Sequence, residues 1–232
     1  MFSFKDKKVL ISGGSTGIGF ETIKILIDKG AKVHSLSRTK PMLDHPNLRI
    51  YLIDLYEKTP ELDDFYDVVI LNLGANPGQK TFEELTIEEI ERFIYLNLNI
   101  HLLMLKLVRC NKIVFVNSVL SMIGVPNNSL YCACKSFIST FNESLRGEGK
   151  DTYIICPYKV NTHLFSEVKD FLTLDKALVA KSIISDVEKE RKYRVLPGIF
   201  RIFPMIKAII PISGMDYIVK TLLNLFIKKK SD

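Results

Sequence analysis

The segment Ser12-Gly13-Gly14-Ser15-Thr16-Gly17-Ile18-Gly19 constrains the fold more than any other stretch of the chain. Ahead of it, Lys8 to Ser12 is a short apolar run with β-branched residues. Behind it, Gly17 to Lys29 repeats apolar residues at helical spacing through Ile18, Ile23, Ile25, Leu26 and Ile27. The pattern predicts a strand, a tight turn and a helix. Glycines let the turn close and bring its backbone near an anion, and the helix N-terminus adds free N–H groups and a positive dipole end. A turn of this kind after the first strand opens the ligand crevice of a doubly wound sheet. With 232 residues the chain is large enough for one such α/β domain and leaves nothing for a separate substrate domain.

The remaining elements follow the same logic. Ala31 to Leu36 reads as strand two, Arg49 to Ile53 as strand three and Val68 to Leu71 as strand four. Between the last two, Tyr56 to Asp67 with Pro60 inside scarcely admits a crossover helix, so a one- or two-turn connection is expected. Glu83 to Val108 carries one long helical pattern. Arg109, Cys110 and Asn111 then lead into strand five, Lys112 to Asn117, which ends at Ser118. Asn128 to Arg146 is a helix with Leu130, Phe137, Phe141 and Leu145 as its expected buried stripe. Tyr153 to Cys156 is strand six, Asp175 to Arg191 a helix and Tyr193 to Leu196 a final short strand.

Three residues name a chemistry. Tyr131 and Lys135, at i and i+4, share a helix face. An ammonium near a phenol favours the ionised phenol, whose free pKa is about 10, and so makes it a usable acid or base. Ser118 enters from a strand end and can hold a carbonyl or hydroxyl oxygen while Tyr131 moves the proton. At the end of strand two an acidic residue would bind the 2′-hydroxyl of NAD. This chain has Ser37-Arg38 instead, and Arg38 can pair a 2′-phosphate in bidentate fashion, which selects NADP(H).

From Lys8 to Thr162 these features, in this order, resemble the short-chain dehydrogenase/reductase family. The resemblance implies a doubly wound parallel (Rossmann) sheet in a single domain. It implies a cofactor site from Gly13, Ser15, Thr16, Gly17, Ile18 and Gly19, from Ser37 and Arg38, from Asp54 and Leu55 beside the adenine ring, and from Asn72 and Gly74. Pro157, Val160 and Thr162 complete it at the carboxamide, with Tyr131 and Lys135 at the nicotinamide ribose. It also implies a catalytic set of Asn97, Ser118, Tyr131 and Lys135, with Asn97 interrupting its helix and relaying protons through water; Asn99 competes for that role. Two departures stand out. Asn72-Leu73-Gly74-Ala75 replaces the usual Asn-Asn-Ala-Gly, and Tyr158 follows Pro157 where the family has glycine, narrowing the nicotinamide end or pointing into the substrate cleft.

Composition excludes several alternatives. With 47% apolar and 25% charged residues, disorder is not expected. The net charge of +6 comes from scattered lysines, clustered only at Lys5 to Lys8 and Lys228 to Lys230, so no nucleic-acid partner is expected. Cys110, Cys132, Cys134 and Cys156 show neither disulfide nor metal spacing. The N-terminus lacks the apolar core of a signal peptide, and a cytoplasmic location is expected.

Substrate selection is expected from the C-terminal third. A lid at His163 to Leu174 offers Leu164, Phe165, Val168, Phe171 and Leu172. The extension from Pro197 is apolar and basic and ends in an amphipathic segment with Ile218, Leu222, Leu225 and Phe226 on one face. It resembles the tails of reductases of retinoids, steroids and long-chain lipid ketones. Three readings stay open for it: docking on a membrane surface, a core or lid helix, and a homodimer contact. Together these features predict an NADP(H)-dependent oxidoreductase interconverting an alcohol and a carbonyl on a small hydrophobic, lipid-like substrate. A catalytically silent dinucleotide sensor is the rival, and a nucleotide-sugar epimerase lacks residues for its substrate domain.

Overall fold

The computed structural model describes residues 1–76, 78, 80–162 and 172–226, with side chains through Thr221. Seven strands form one parallel sheet: β1 Lys8–Ser12, β2 Lys32–Ser37, β3 Leu48–Leu52, β4 Phe65–Leu71, β5 Arg109–Val116, β6 Asp151–Pro157 and β7 Tyr193–Leu196. They lie in the order β3-β2-β1-β4-β5-β6-β7, so the winding reverses between β1 and β4. Both faces are covered, which is why the strands read as continuous apolar runs. Val9, Ile11, Val33, Val68, Ile70 and Val114 pack beneath α1 (Gly17–Asp28) and α5 (Lys176–Glu188). The alternate residues Leu10, Leu36, Val69, Leu71, Ile113 and Phe115 face α3 (Ile100–Leu107) and α4 (Ser129–Gly147).

The short connection expected between β3 and β4 is found, while several other boundaries differ from the sequence reading. No helix joins β3 to β4; the connection is a single hydrogen-bonded turn in which Glu57 and Lys58 N–H groups donate to the Asp54 carbonyl. The long helical pattern starts late, at α2 (Ile87–Ile94), because Thr86 and Glu89 form a capping box there. It then passes through a π-helical turn, Tyr95–Asn99, into α3. Arg109 to Asn111 belong to β5 rather than to a linker, since Arg109 and Cys110 pair with Phe65 and Tyr66.

The expected buried stripe of α4 is also corrected. Phe137 is exposed, and Leu130, Phe141 and Leu145 are half-buried; the buried face is Tyr131, Cys134, Lys135, Ile138 and Asn142. That face meets β5 and the cleft, so its polar residues go inside while Phe137 and Phe141 stack on each other at the rim.

After β7 a 3-10 turn (Gly198–Ile202), α6 (Phe203–Ile209) and α7 (Ile212–Phe226) fold back on the domain. Phe203, Ile206, Ile210 and Ile218 pack against Ile123, Met215 and Val219. Phe200, Phe203, Ile206 and Ile210, which the membrane-surface alternative would turn toward lipid, therefore point inward, whereas Ile209 stays exposed. No helix among the described residues is long and apolar enough to cross a membrane.

Candidate active site

A cleft of about 1140 Å³ runs along the carboxyl ends of β1, β2, β4, β5 and β6. Its floor at the β1/β4 reversal is the glycine turn. Gly13 and Gly17 have φ of +71° and +61°, left-handed values that favour glycine. Gly19 serves packing instead: a Cβ there would lie 2.2 Å from the Gly13 carbonyl oxygen and 2.7 Å from Asn72 Nδ2. Gly14, which the sequence reading passed over, is equally confined, its Cβ falling 2.2 Å from Ser35 Oγ.

Asn72 is the brace of this turn. Its Nδ2 donates to the Ser12 and Gly13 carbonyls, each at 3.0 Å, while its main-chain N–H and that of Leu73 donate to Ser12 Oγ at 3.1 Å. These bonds tie the ends of β1 and β4 together. Ser15, Thr16, Gly17 and Ile18 line the cleft at the start of α1. Thr16 makes no side-chain cap bond and the first turn holds no acid, so the N–H donors there stay available to an anion.

At the β2 end, Ser37 is buried and donates its hydroxyl to the Thr39 carbonyl at 2.8 Å, closing the turn that presents Arg38. Arg38 is exposed, lines the cleft and forms no ion pair among the described residues. Asp54 Oδ1 accepts from the Tyr56 N–H at 3.0 Å and its Oδ2 lies 3.7 Å from Arg92; Leu55 is buried beside it.

Asn97 is fully buried at the centre of the π turn. Its Nδ2 donates to Phe93 O (2.9 Å) and Ala75 O (3.2 Å), and its Oδ1 accepts from Ala75 N (3.3 Å). Asn99, the competing residue, is exposed. Gly74 joins Asn97 to the cleft: a Cβ on Gly74 would sit 3.4 Å from Asn97 Oδ1 and 3.8 Å from Lys135 Nζ.

Ser118 follows β5 and Tyr131 lies in the first turn of α4; both line the cleft, where the Ser118 hydroxyl acts on the phenol. Ser118 Oγ also accepts from Leu120 N at 3.2 Å. Ser121, off the expected spacing, donates to the Ser118 carbonyl at 2.7 Å and so braces it. Asn117 pins α4 in register: its Nδ2 donates to Lys135 O at 3.1 Å and to Ser139 Oγ at 2.9 Å. Sequence reasoning missed Asn117, although its place as the polar residue ending an apolar strand could have marked it.

Lys135 Nζ lies 5.5 Å from the centre of the Tyr131 ring. Burial pushes the Lys135 ammonium down to about 8. The nearby thiols of Cys134 and Cys156 are driven up to about 11 and about 12, chiefly by burial, so they stay neutral and give it no counter-ion. Burial also raises Tyr131, with the Ser118 hydrogen bond opposing. Burial therefore outweighs the Ser118 hydroxyl, the lowering expected from the lysine does not prevail, and the phenol is held protonated at neutral pH.

Beyond β6, Pro157, Tyr158, Val160 and Thr162 line the cleft, and the Thr162 methyl lies against Gly17. Tyr158 does not block the cleft alone; it stacks on Phe200 from the C-terminal segment. Of the expected lid, Leu172 lines the cleft and Leu174 bridges to Val160, while Leu164, Phe165, Val168 and Phe171 lie outside the described residues.

Comparison with known proteins agrees with this geometry. The chain is 29% identical over 200 residues, 73% of its length and 80% of the other, to an uncharacterized oxidoreductase of Staphylococcus saprophyticus. It is 27% identical over 200 residues, 72% of its length and 65% of the other, to 17-beta-hydroxysteroid dehydrogenase type 3 of Danio rerio. A crystal structure of a short chain dehydrogenase from Burkholderia cenocepacia in complex with NADP superposes with a TM-score of 0.79 at 15% identity, covering 94% of this chain and 99% of that one. The family model for short chain dehydrogenase matches residues 53–172, and with the glycine turn ahead of that match and Ser118, Tyr131 and Lys135 inside it, the chain belongs to the short-chain dehydrogenase family of oxidoreductases.

Proposed function

We propose that this chain is an NADP(H)-dependent oxidoreductase that interconverts an alcohol with a ketone or aldehyde on a small hydrophobic substrate. The observation that carries the reading is that Ser118, Tyr131 and Lys135, all buried, line one end of a cleft whose other end holds the glycine turn and Arg38. The residues fit a phosphorylated dinucleotide. The open N–H groups of α1 suit the pyrophosphate, the unpaired Arg38 guanidinium suits a 2′-phosphate, and Lys135, which makes no ion pair among the described residues, suits a ribose hydroxyl.

When bound, the nicotinamide supplies or accepts the hydride. In the reducing direction Tyr131, held protonated, gives its proton to the substrate oxygen, and the Ser118 hydroxyl donates a hydrogen bond to the same atom. The Lys135 ammonium stabilises the phenolate left behind. Asn97 spends its side chain on Ala75 and Phe93, so it fixes Gly74–Ala75 beside Lys135.

The cleft wall away from the dinucleotide end, with Leu96, Leu120, Ile123, Val125 and Phe203, supports an apolar substrate. A lipid surface as a partner is supported by the exposed row Ile199, Ile202, Met205, Ile209 and Ile212, flanked by the exposed cations Arg201 and Lys207. Lys228 to Lys230 lie outside the described residues.

The test is Tyr131→Phe. NADPH-dependent reduction of a ketone panel should fall by at least about a hundredfold, the scale of a general acid, with NADPH affinity within about twofold of wild type. Turnover near wild type refutes the reading, and a wild type that binds NADPH without oxidising it on any carbonyl favours the dinucleotide sensor.

A further inference from the structure

Three aromatic rings from two distant parts of the chain meet in the cleft. Tyr158 follows β6, where it extends the cleft wall that begins at Pro157. Phe200 lies in the 3-10 turn after β7, and the two rings stack with centroids 4.8 Å apart at an interplanar angle of 25°. Phe203, at the start of α6, continues the row at 5.2 Å and 52° from Phe200. All three line the same cleft as Ser118 and Tyr131.

The pairing is anchored by backbone as well as by rings. The Tyr158 N–H donates to the Leu196 carbonyl at 2.7 Å, so the two segments leave the sheet side by side. A half-buried aromatic ring has few rotamers to lose, and stacking neighbours restrict those further. The wall is therefore stiff, with Phe203 turned away from the Tyr158–Phe200 stack.

Charge narrows the occupant. Among the described residues, the charges lining the cleft are Arg38 and Asp54 at the β2 and β3 end, Lys135 beside Tyr131, and Lys159, which is engaged with a partner. The cleft residues contributed by the C-terminal segment, Ile199, Phe200, Ile202, Phe203 and Val219, carry no charge. A carboxylate or phosphate buried against them would lose hydration without a partner. A flexible acyl chain would match the polarity but would lose rotor entropy along a rigid wall, whereas a fused ring has none to lose and gains ring–ring contact.

We propose that Phe200, held by Tyr158, is a specificity-determining residue and that the substrate is an uncharged, flat, ring-bearing carbonyl compound. The proposal rests on the reductase reading and names its substrate class. By this reading the C-terminal segment is part of the active site, and Tyr158, in place of glycine, is what attaches it.

The test compares two ketones of equal carbon count, 2-tetralone and 2-decanone, with NADPH and the full-length protein. Wild type should favour 2-tetralone in kcat/KM by about tenfold or more, chiefly through KM. Phe200→Leu keeps apolar bulk and removes the ring; it should lower the ratio of the two kcat/KM values by about three- to tenfold, the worth of one aromatic pair. Phe200→Ala should lower it further, and NADPH affinity should hold in both variants. Tyr158→Phe should retain the wild-type ratio, because the ring rather than the hydroxyl forms the stack. Equal kcat/KM for the two ketones in wild type, or a Phe200→Leu variant that slows both by the same factor, overturns the aromatic wall and leaves the reductase standing. A wild type that binds NADPH but reduces neither ketone overturns both.

Discussion

Between about pH 8 and pH 10 the activity and the stability of this protein should move in opposite directions, because both depend on one proton on Lys135. Burial lowers the Lys135 ammonium from 10.5, the ordinary lysine value, to about 8. Below about 8 the folded protein keeps the charge that stabilises the Tyr131 phenolate. Above it the charge is lost about tenfold per pH unit, so kcat/KM for carbonyl reduction should fall about tenfold from pH 8.5 to 9.5. Tyr131 adds no limb in this range, because burial raises it. Stability follows the other sign. A cation with a depressed pKa leaves the unfolded chain holding more protons than the native one between about 8 and 10.5, and stability therefore rises with pH across that window. Roughly 2.5 pH units at about 1.4 kcal/mol each give about 3 kcal/mol. Lys135→Met isolates the effect. It should abolish the alkaline activity limb, leave a low, pH-independent residual rate, and unfold at higher denaturant than wild type at pH 7 but not at pH 10. Initial rates and urea titrations in the same buffers measure both quantities. A wild-type kcat/KM flat to about pH 9.5, or a Lys135→Met variant no more stable than wild type at pH 7, refutes the assignment of that proton.

Three further outcomes follow from the geometry. Arg38→Ala should shrink the preference for NADPH over NADH by about 1–3 kcal/mol, the worth of a charge-assisted pair, as read by titration; equal wild-type affinities would exclude a 2′-phosphate site. Gly19→Ala, whose methyl would meet the Gly13 carbonyl at 2.2 Å, should destabilise by about 1–3 kcal/mol and abolish measurable NADPH binding. Gly147→Ala, where a Cβ meets nothing, should be neutral or stabilising, and similar melting of the two variants would contradict the packing role of Gly19. Full-length protein should float with anionic vesicles at low salt and release as salt rises, and Ile209→Asp, at an exposed position, should weaken that binding; protein that stays soluble throughout would remove the lipid surface as a partner.

What the sequence made legible was local. The β1 run, the glycine turn and the α1 pattern are contiguous, and each of their signals depends only on near neighbours. The Tyr131–Lys135 pair was readable for the same reason. What stayed hidden was long-range. The bracing roles of Asn72, which was picked out only for the cofactor site, and of Asn117 were not readable, because the carbonyls they brace, on Ser12, Gly13 and Lys135, are distant in sequence. The α4 stripe misled because hydrophobicity tracks burial only where burial is apolar, and this helix turns Tyr131, Lys135 and Asn142 inward. In the C-terminal segment the helices were foreseeable but the inward side was not. An amphipathic pattern says that one face will be covered, and only the tertiary neighbours Ile123 and Met215 decide that Phe203 and Ile206 are on it.

Parallel topology explains why so many polar residues meet in one place. β1 and β2 end at their carboxyl ends in a serine, Ser12 and Ser37, while β4 and β5 are followed at once by Asn72 and by Asn117-Ser118. In an antiparallel sheet such ends would alternate between two edges and the polar residues would be scattered. Here α1, the α2–α3 helix pair, α4 and α5 return the chain to the same starting edge each time, so every strand delivers its terminal residue to one rim. The apolar layers below fix those termini against one another, and that rigidity lets Lys135 stay buried without a carboxylate partner among the described residues. A mobile site would relax toward water and return the ammonium to its ordinary pKa; this fold keeps it poised.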